Sequence, residues 1–382
     1  MPIQPFQVAV PEEVITDLRE RLERTRWPDE VAGAGWEYGT NLGYLKELVG
    51  YWEDRFDWRA QEAAMNRFSH YRADIGGFGI HFIREEGRGR DPVPLLLLHG
   101  WPASFLQMVK IIPLLADPVA HGGDGTNSFE LIVPSLPGYG FSDRPGERGM
   151  TVGRVAKLIH RLMTEELGFS RYGVRGSDMG AGVAARLALS YPESVVGIHL
   201  SGTSPYFGET PPDLTDAEKA FLRRAEAWRM AEGAYAMLQA TKPQTLAYGL
   251  TDSPAGLAAW IVEKFRSWSD CGGDVESRFT KDELLANVTL YWVTGTINSS
   301  TRLYYETMHA PWPNAGKRVE VPTANAMFPK DLVPGPREWE ERQFNITRWT
   351  GMPRGGHFGE MEEPELLAED IRAFFRGLRR KA

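Results

Sequence analysis

With 382 residues, 42% of them hydrophobic and 25% charged, the chain has the composition of one large folded core with insertions and lacks the bias of a disordered segment. A formal net charge of -8 argues against a nucleic-acid surface, and the short basic ending "RGLRRKA" reads as a solvated helix terminus. The single cysteine, Cys271, excludes an internal disulfide and has no histidines at zinc spacing, which fits a reducing compartment.

The first residues, "MPIQPFQVAVPEEV", contain no basic segment followed by an apolar run, and no stretch reaches the length of a membrane span, so the expected location is cytoplasmic. After "PFQVAVP", Val14, Leu18 and Leu22 recur four residues apart with Ile15 beside them, an amphipathic helix that ends at "WPDE". Aromatic residues continue through "YLKELVGYWEDRFDWRAQEAAMNRF", so residues up to about 68 form a helical region too apolar to be a free tail. It is expected to pack on the remainder.

From "HYRADIGGFGIHFIREE" the period changes to strand-like alternation, and "VPLLLLHG" is the continuous apolar run of a strand buried on both faces. "FELIVPSLPGYGFSD", "RYGVRGSD" and "VVGIHLSG" supply further strands separated by helices, the pattern of a mostly parallel central sheet flanked by helices. Between about residues 205 and 313 the strand signal fades into helical stretches rich in Trp, Tyr and Met, an inserted helical lid. Strands return at "KRVEVPTANAMFP" and "FNITRW", and "PELLAEDIRAFFRGL" closes the chain as a helix with acids at its start and bases at its end. The expected division is 1–85 for the N-terminal region, 86–204 and 314–382 for an α/β core, and 205–313 for the lid.

The stretch "YGVRGSDMGAGVAARLAL" turns from strand to helix around Gly176 and Gly180, with Asp178 at the apex where many hydrolases carry serine in G-x-S-x-G. Taken alone, it reads equally well as an ordinary turn whose Asp caps the helix. A carboxylate nucleophile would need donors for the developing charge and a base to cleave the ester with water. "LLLLHGWPAS" ends a buried strand with His99, Gly100, Trp101 and Pro102, from which the Trp101 N–H can join that of Met179 as an oxyanion hole. His99 itself reads as structural. In "MPRGGHFGEMEEPE", His357 falls where the last member of a hydrolase triad comes in chain order, and "NAMFPKDLVPGP" offers Asp331 as its partner. Glu338, Glu340 and Glu341 are rival acids on the next helical stretch.

Together "RTRWP", "FDWR", "HGWP", "GSDMG", "TKPQTLAYGLTDSPAGLAAWIVEKF", "YWVTGTINSSTRLYYE", "FPKD" and "PRGGHFGEMEEPE" resemble the α/β-hydrolase-fold epoxide hydrolases of the microsomal and juvenile-hormone type, over nearly the whole chain. The resemblance implies that fold, an N-terminal region typical of the family, Asp178 as nucleophile, His357 as base and Asp331 as its acid. It also implies that Tyr235 and Tyr304 grip the epoxide oxygen, with Tyr305 as the neighbour to be excluded. The expected partners are a small apolar epoxide and water. Neither metal nor organic cofactor is called for, and a homo-oligomer stays open. Two other readings stand beside this one: a haloalkane dehalogenase, which shares the Asp nucleophile but needs donors for halide, and a non-catalytic ligand-binding protein of the same fold.

Overall fold

In the computed structural model, which describes residues 3–202, 210–311 and 316–379, nine strands hydrogen-bond into one sheet in the order β1-β2-β3-β5-β4-β6-β7-β8-β9. They are β1 (Gln4–Pro5), β2 (His70–Asp74), β3 (Gly79–Glu85), β4 (Val93–Leu98), β5 (Phe129–Pro134), β6 (Tyr172–Ser177), β7 (Val195–Ser201), β8 (Val319–Met327) and β9 (Phe344–Gly351). Every pair from β5 to β9 across the sheet is parallel, while β1, β2 and β3 add an antiparallel edge. Leu95 to Leu98 of β4 are wholly buried, as a strand covered on both faces requires.

The chain begins with helices α1 (Glu12–Glu23), α2 (Leu42–Asp54) and α3 (Trp58–Met65). Their caps follow from sequence: Asn41 accepts from the Tyr44 N–H, and Asp57 from that of Ala60. The "FDWR" stretch stitches this region together around buried Glu62, which accepts from the Val10 N–H at 2.6 Å, the Trp58 indole at 2.9 Å and Arg59 at 2.6 Å. Two findings differ from the sequence reading. The two-residue strand β1 pairs with β2 ahead of the first helix, too short to leave an alternating pattern. Residues 70–85, grouped above with the N-terminal region, form β2 and β3, and β3 is hydrogen-bonded to β5. These two strands are part of the central sheet because pairing with β5 satisfies backbone groups that a separate hairpin would leave open.

Helices α4 (Ile111–Ala116), α5 (Val152–Arg161) and α6 (Met179–Ser190) alternate with the strands. Between β7 and β8 come six helices among the described residues: α7 (Asp216–Glu232), α8 (Ala234–Thr241), α9 (Pro243–Asp252), α10 (Pro254–Trp268), α11 (Lys281–Thr294) and α12 (Ile297–Met308). The boundaries expected at 205 and 313 lie outside the described residues. The stretch 216–241 breaks at Gly233, where a Cβ would stand 2.5 Å from the Arg229 carbonyl oxygen. After β8 follow α13 (Arg337–Glu341), α14 (Gly359–Glu362) and α15 (Pro364–Arg379). The N-terminal region binds the insertion through Tyr51 Oη to Asp282, Thr40 Oγ1 to the Ala259 carbonyl and Arg21 to Asp252. No helix among the described residues is long and apolar enough to cross a membrane.

Candidate active site

The strand-to-helix turn after β6 places Asp178 at φ 50°, ψ -126°, a strained conformation for a residue with a side chain. Its carboxylate does not cap α6, so the helix-cap alternative fails. Three glycines let the turn close. A Cβ on Gly176 would lie 2.4 Å from the Gly180 carbonyl oxygen, one on Gly180 2.2 Å from that of Leu98, and one on Gly100 2.3 Å from the Asp178 Cβ. The glycines thus permit the β4 and β6 turns to touch, and this contact brings "HGWP" to the apex.

The Trp101 N–H donates to Asp178 Oδ1 at 2.9 Å. Met179 is the first residue of α6, so its N–H has no intrahelical acceptor and belongs to the positive end of the helix dipole. His99 is fully buried, with Nδ1 3.1 Å from the Gly100 carbonyl oxygen and Nε2 accepting from the Leu136 N–H at 3.2 Å. Burial pushes its pKa down to about 4. The neutral imidazole is the form its enclosure favours, and its two ring nitrogens link the β4 turn to Leu136. Trp101 and Pro102 are joined by a cis peptide bond.

Because β8 and β9 are parallel neighbours, the loops that leave them run side by side, with a further bridge between Lys330 and Gly356. That contact sets Asp331 against His357, whose Nδ1 lies 2.7 Å from Asp331 Oδ1, while Nε2 lies 3.6 Å from Asp178 Oδ2. Burial alone would lower the imidazole pKa. The Asp331 charge, the hydrogen bond to Asp331 and the Asp178 carboxylate nearby outweigh it and raise the value to about 10. Burial would likewise raise the Asp331 carboxyl, but the facing imidazolium and hydrogen bonds from His357 and the Leu332 N–H hold it below its ordinary value. Glu338, Glu340 and Glu341 sit on α13, where Glu338 accepts from Thr215 and Glu341 pairs with Arg337, and the imidazole nitrogen they would have needed faces Asp331.

Across from Asp178, Tyr235 of α8 stacks on Trp101 with ring centroids 5.3 Å apart, and Tyr304 of α12 meets both rings edge-on at 6.1 and 6.3 Å. Tyr305 points away, 38% exposed and stacked on His309. Burial and the Asp178 charge raise both inward phenols above their ordinary pKa, so they stay protonated. Sequence reasoning passed over Trp268, which closes the aromatic box 5.0 Å from Tyr235 and 5.2 Å from His357. It also passed over the wholly buried Arg175–Glu360 ion pair, 2.7 Å long, which joins β6 to α14. Neither left a signal distinct from core packing. Among the described residues no cluster of His, Cys, Asp and Glu could hold a metal ion.

A sheet of this order, an acidic residue at its sharpest turn and a histidine–acid pair in the loops that leave β8 and β9 define an α/β-hydrolase-fold protein. A family model for the epoxide hydrolase N terminus matches residues 3–108, and one for the alpha/beta hydrolase fold matches residues 93–253. The chain is 38% identical to epoxide hydrolase 1 of Sus scrofa over 97% of its own length and 88% of the relative's. The crystal structure of juvenile hormone epoxide hydrolase from Bombyx mori superimposes with a TM-score of 0.90 at 31% identity, covering 99% of this chain and 95% of that one. The Aspergillus niger epoxide hydrolase gives a TM-score of 0.86 at 31% identity, covering 99% and 97%. The chain belongs to the epoxide hydrolase family, and it is an enzyme of that family.

Proposed function

We propose that the enzyme opens an apolar epoxide to a vicinal diol through a covalent ester on Asp178. The carboxylate attacks one ring carbon while Tyr235 and Tyr304 hydrogen-bond the epoxide oxygen and one of them gives it a proton. The Trp101 and Met179 N–H groups then hold the oxyanion as water, deprotonated by His357, attacks the ester carbonyl. Asp331 stabilises the imidazolium that results. The observation that carries this reading is the position of Asp178, which touches the Trp101 N–H at 2.9 Å and faces His357 at 3.6 Å. Rings of Trp101, Trp268, Tyr235 and Tyr304 around it favour an apolar substrate. A cytoplasmic location is part of the same proposal, supported by Cys271, a buried free thiol.

A single turnover in oxygen-18 water tests the route. The diol should be mostly unlabelled and the label should appear in Asp178, and label entering the diol directly would sink the ester. A second reading, halide release from a haloalkane, draws on the indole N–H groups of Trp101 and Trp268, both buried and without a hydrogen-bond partner among the described residues. The paired phenols favour the epoxide, and chloride release from a chloroalkane is the discriminating assay.

A further inference from the structure

We propose that Glu362, at the end of α14, is a positioning residue for the imidazole base, whose loop it clasps on both sides and ties to the segment that follows α10. The inference deepens the covalent mechanism above and rests on it.

Four successive backbone N–H groups around His357 are all committed. Those of Gly356 and Phe358 donate to the two oxygens of Glu362, each at 3.0 Å. That of Gly355 donates to Asp270 Oδ2 at 3.0 Å, and that of His357 to the Trp268 carbonyl oxygen at 2.8 Å. Glu362 Oε2 takes a further bond from the Asp270 N–H at 2.7 Å. One carboxylate therefore spans the base loop and the end of α10, and Trp268, which presents its ring edge-on to His357, is fixed by the same frame. Gly356 makes the approach possible, since a Cβ there would stand 2.6 Å from the Trp268 carbonyl oxygen. Ordinary loop packing does not require a buried carboxylate that accepts from the amides on both sides of one histidine. Such a clasp restricts where Nε2 can point, and an imidazole that must aim at one water loses rate steeply when misplaced.

The clasp also carries a charge. Burial pushes the Glu362 carboxyl up to about 7, against its three backbone hydrogen bonds and the nearby His357. The other charged groups about it are Asp270 and Arg278 from the insertion and Arg354 and Glu363 beside the loop, with Arg278 and Arg354 both bound to Glu363. A protonated carboxyl keeps one good acceptor oxygen and turns the other into a donor that faces N–H groups. Ester breakdown should therefore carry an ionisation of Glu362, and ester formation, which needs only Asp178 and the phenols, should not.

The test follows ester formation and ester breakdown separately by rapid quench and intact-protein mass, with styrene oxide as probe, across pH 5 to about 9. Wild type must first show the adduct. Its absence overturns the covalent reading itself, before any variant is compared. In Glu362→Gln, formation should stay within about threefold of wild type, breakdown should slow by about tenfold or more, and the breakdown profile should lose the Glu362 ionisation near 7 and keep that of His357. Glu362→Asp, which keeps the charge but reaches fewer amides, should fall between, and it serves alone if the Gln variant does not fold. Equal slowing of both steps, or a breakdown profile unchanged in either variant, would assign Glu362 to fold stability only and overturn the proposal.

Discussion

His357 stands between two carboxylates, its Nδ1 2.7 Å from Asp331 Oδ1 and its Nε2 3.6 Å from Asp178 Oδ2. The nearer acid is buried and holds the ring and the Leu332 N–H, whereas the farther one is held by the Trp101 N–H at the apex of the turn. The two acids are chemically alike and differ in access. In the proposed mechanism Asp331 orients the ring and Asp178 meets the substrate. In Asp178→Ala turnover should vanish. In His357→Ala the first step should survive and the second stall, leaving a protein heavier by one substrate mass in intact-protein spectra. Diol formed by pure Asp178→Ala would exclude it as nucleophile.

The charge on Asp178 adds to that of Asp331 in holding the proton on the base. With both acids ionised the imidazole pKa is raised to about 10 from its ordinary 6.5, so the free enzyme holds imidazolium at neutral pH. An ester on Asp178 removes one of those charges, and the pKa must fall, which frees Nε2 to accept a proton from water when the second step needs it. Asp178→Ala mimics that loss, so the His357 ring resonance should titrate at lower pH than in wild type by NMR. The linkage has a definite sign. A folded-state pKa above the unfolded value gives stability present in full below pH 6.5 and lost as pH rises through about 10. Wild type should lose more stability than Asp178→Ala over that window in urea titrations, and equal losses would show that Asp178 does not set the ring's charge.

Asp331→Asn tests the other side of the ring. The imidazolium loses the anion that stabilises it, so ester breakdown should slow by orders of magnitude while adduct formation remains measurable. Unchanged breakdown would return attention to the acids of α13.

Much of this arrangement was legible in the chain because it hangs on short motifs whose glycines and turn residues have no substitute. Asp178 could be chosen over Ser177 from glycine spacing alone, and His357 and Asp331 from their order after the last strands. The tyrosines were a different matter. Nothing in local pattern separates Tyr235 and Tyr304 from the other tyrosines among the chain's thirteen, and only family resemblance picked them out. Glu362 left still less, since its role depends on three N–H groups closing around its carboxylate, one of them from Asp270 some ninety residues earlier. The short strand β1 and the place of β2 and β3 in the central sheet were hidden for a similar reason: strand pairing is decided by distant partners.

The close approach of β4 and β6 gives a paired prediction for stability. In Gly180→Ala the new Cβ would lie 2.2 Å from the Leu98 carbonyl oxygen and 2.8 Å from that of His99. Both are backbone atoms of a wholly buried strand end, so the elbow must shift, at a cost of about 1–3 kcal/mol or more. Gly182 lies two residues further along the same helix, on another face, where a Cβ meets only Val152 Cγ1 at 3.6 Å. Gly182→Ala should therefore stabilise by about 0.5–1 kcal/mol. Urea denaturation of both decides the matter, and a harmless Gly180→Ala would mean that the turn is looser than its geometry implies.

Two phenols stand opposite Asp178. Ring opening puts charge on the epoxide oxygen, and a neutral epoxide leaves poorly without a donor. Tyr235 and Tyr304 lie on different helices, α8 and α12, yet their rings meet 6.3 Å apart against the same Trp101. Burial and the Asp178 charge keep both protonated, so they can donate without competing with the carboxylate for its charge. Phenylalanine retains the ring packing and removes only the hydroxyl. Each of Tyr235→Phe and Tyr304→Phe should raise the barrier to ester formation by roughly 3 kcal/mol, the scale of a lost oxyanion donor. The double variant should be folded and nearly inactive, with ester breakdown in any adduct unaffected, because the second step uses the backbone N–H groups and His357. Tyr305→Phe is the control, since that ring is 38% exposed and turned to His309. Rapid-quench rates separate the cases: damage from Tyr305→Phe with a silent Tyr304→Phe would mean that α12 presents a different residue to the epoxide.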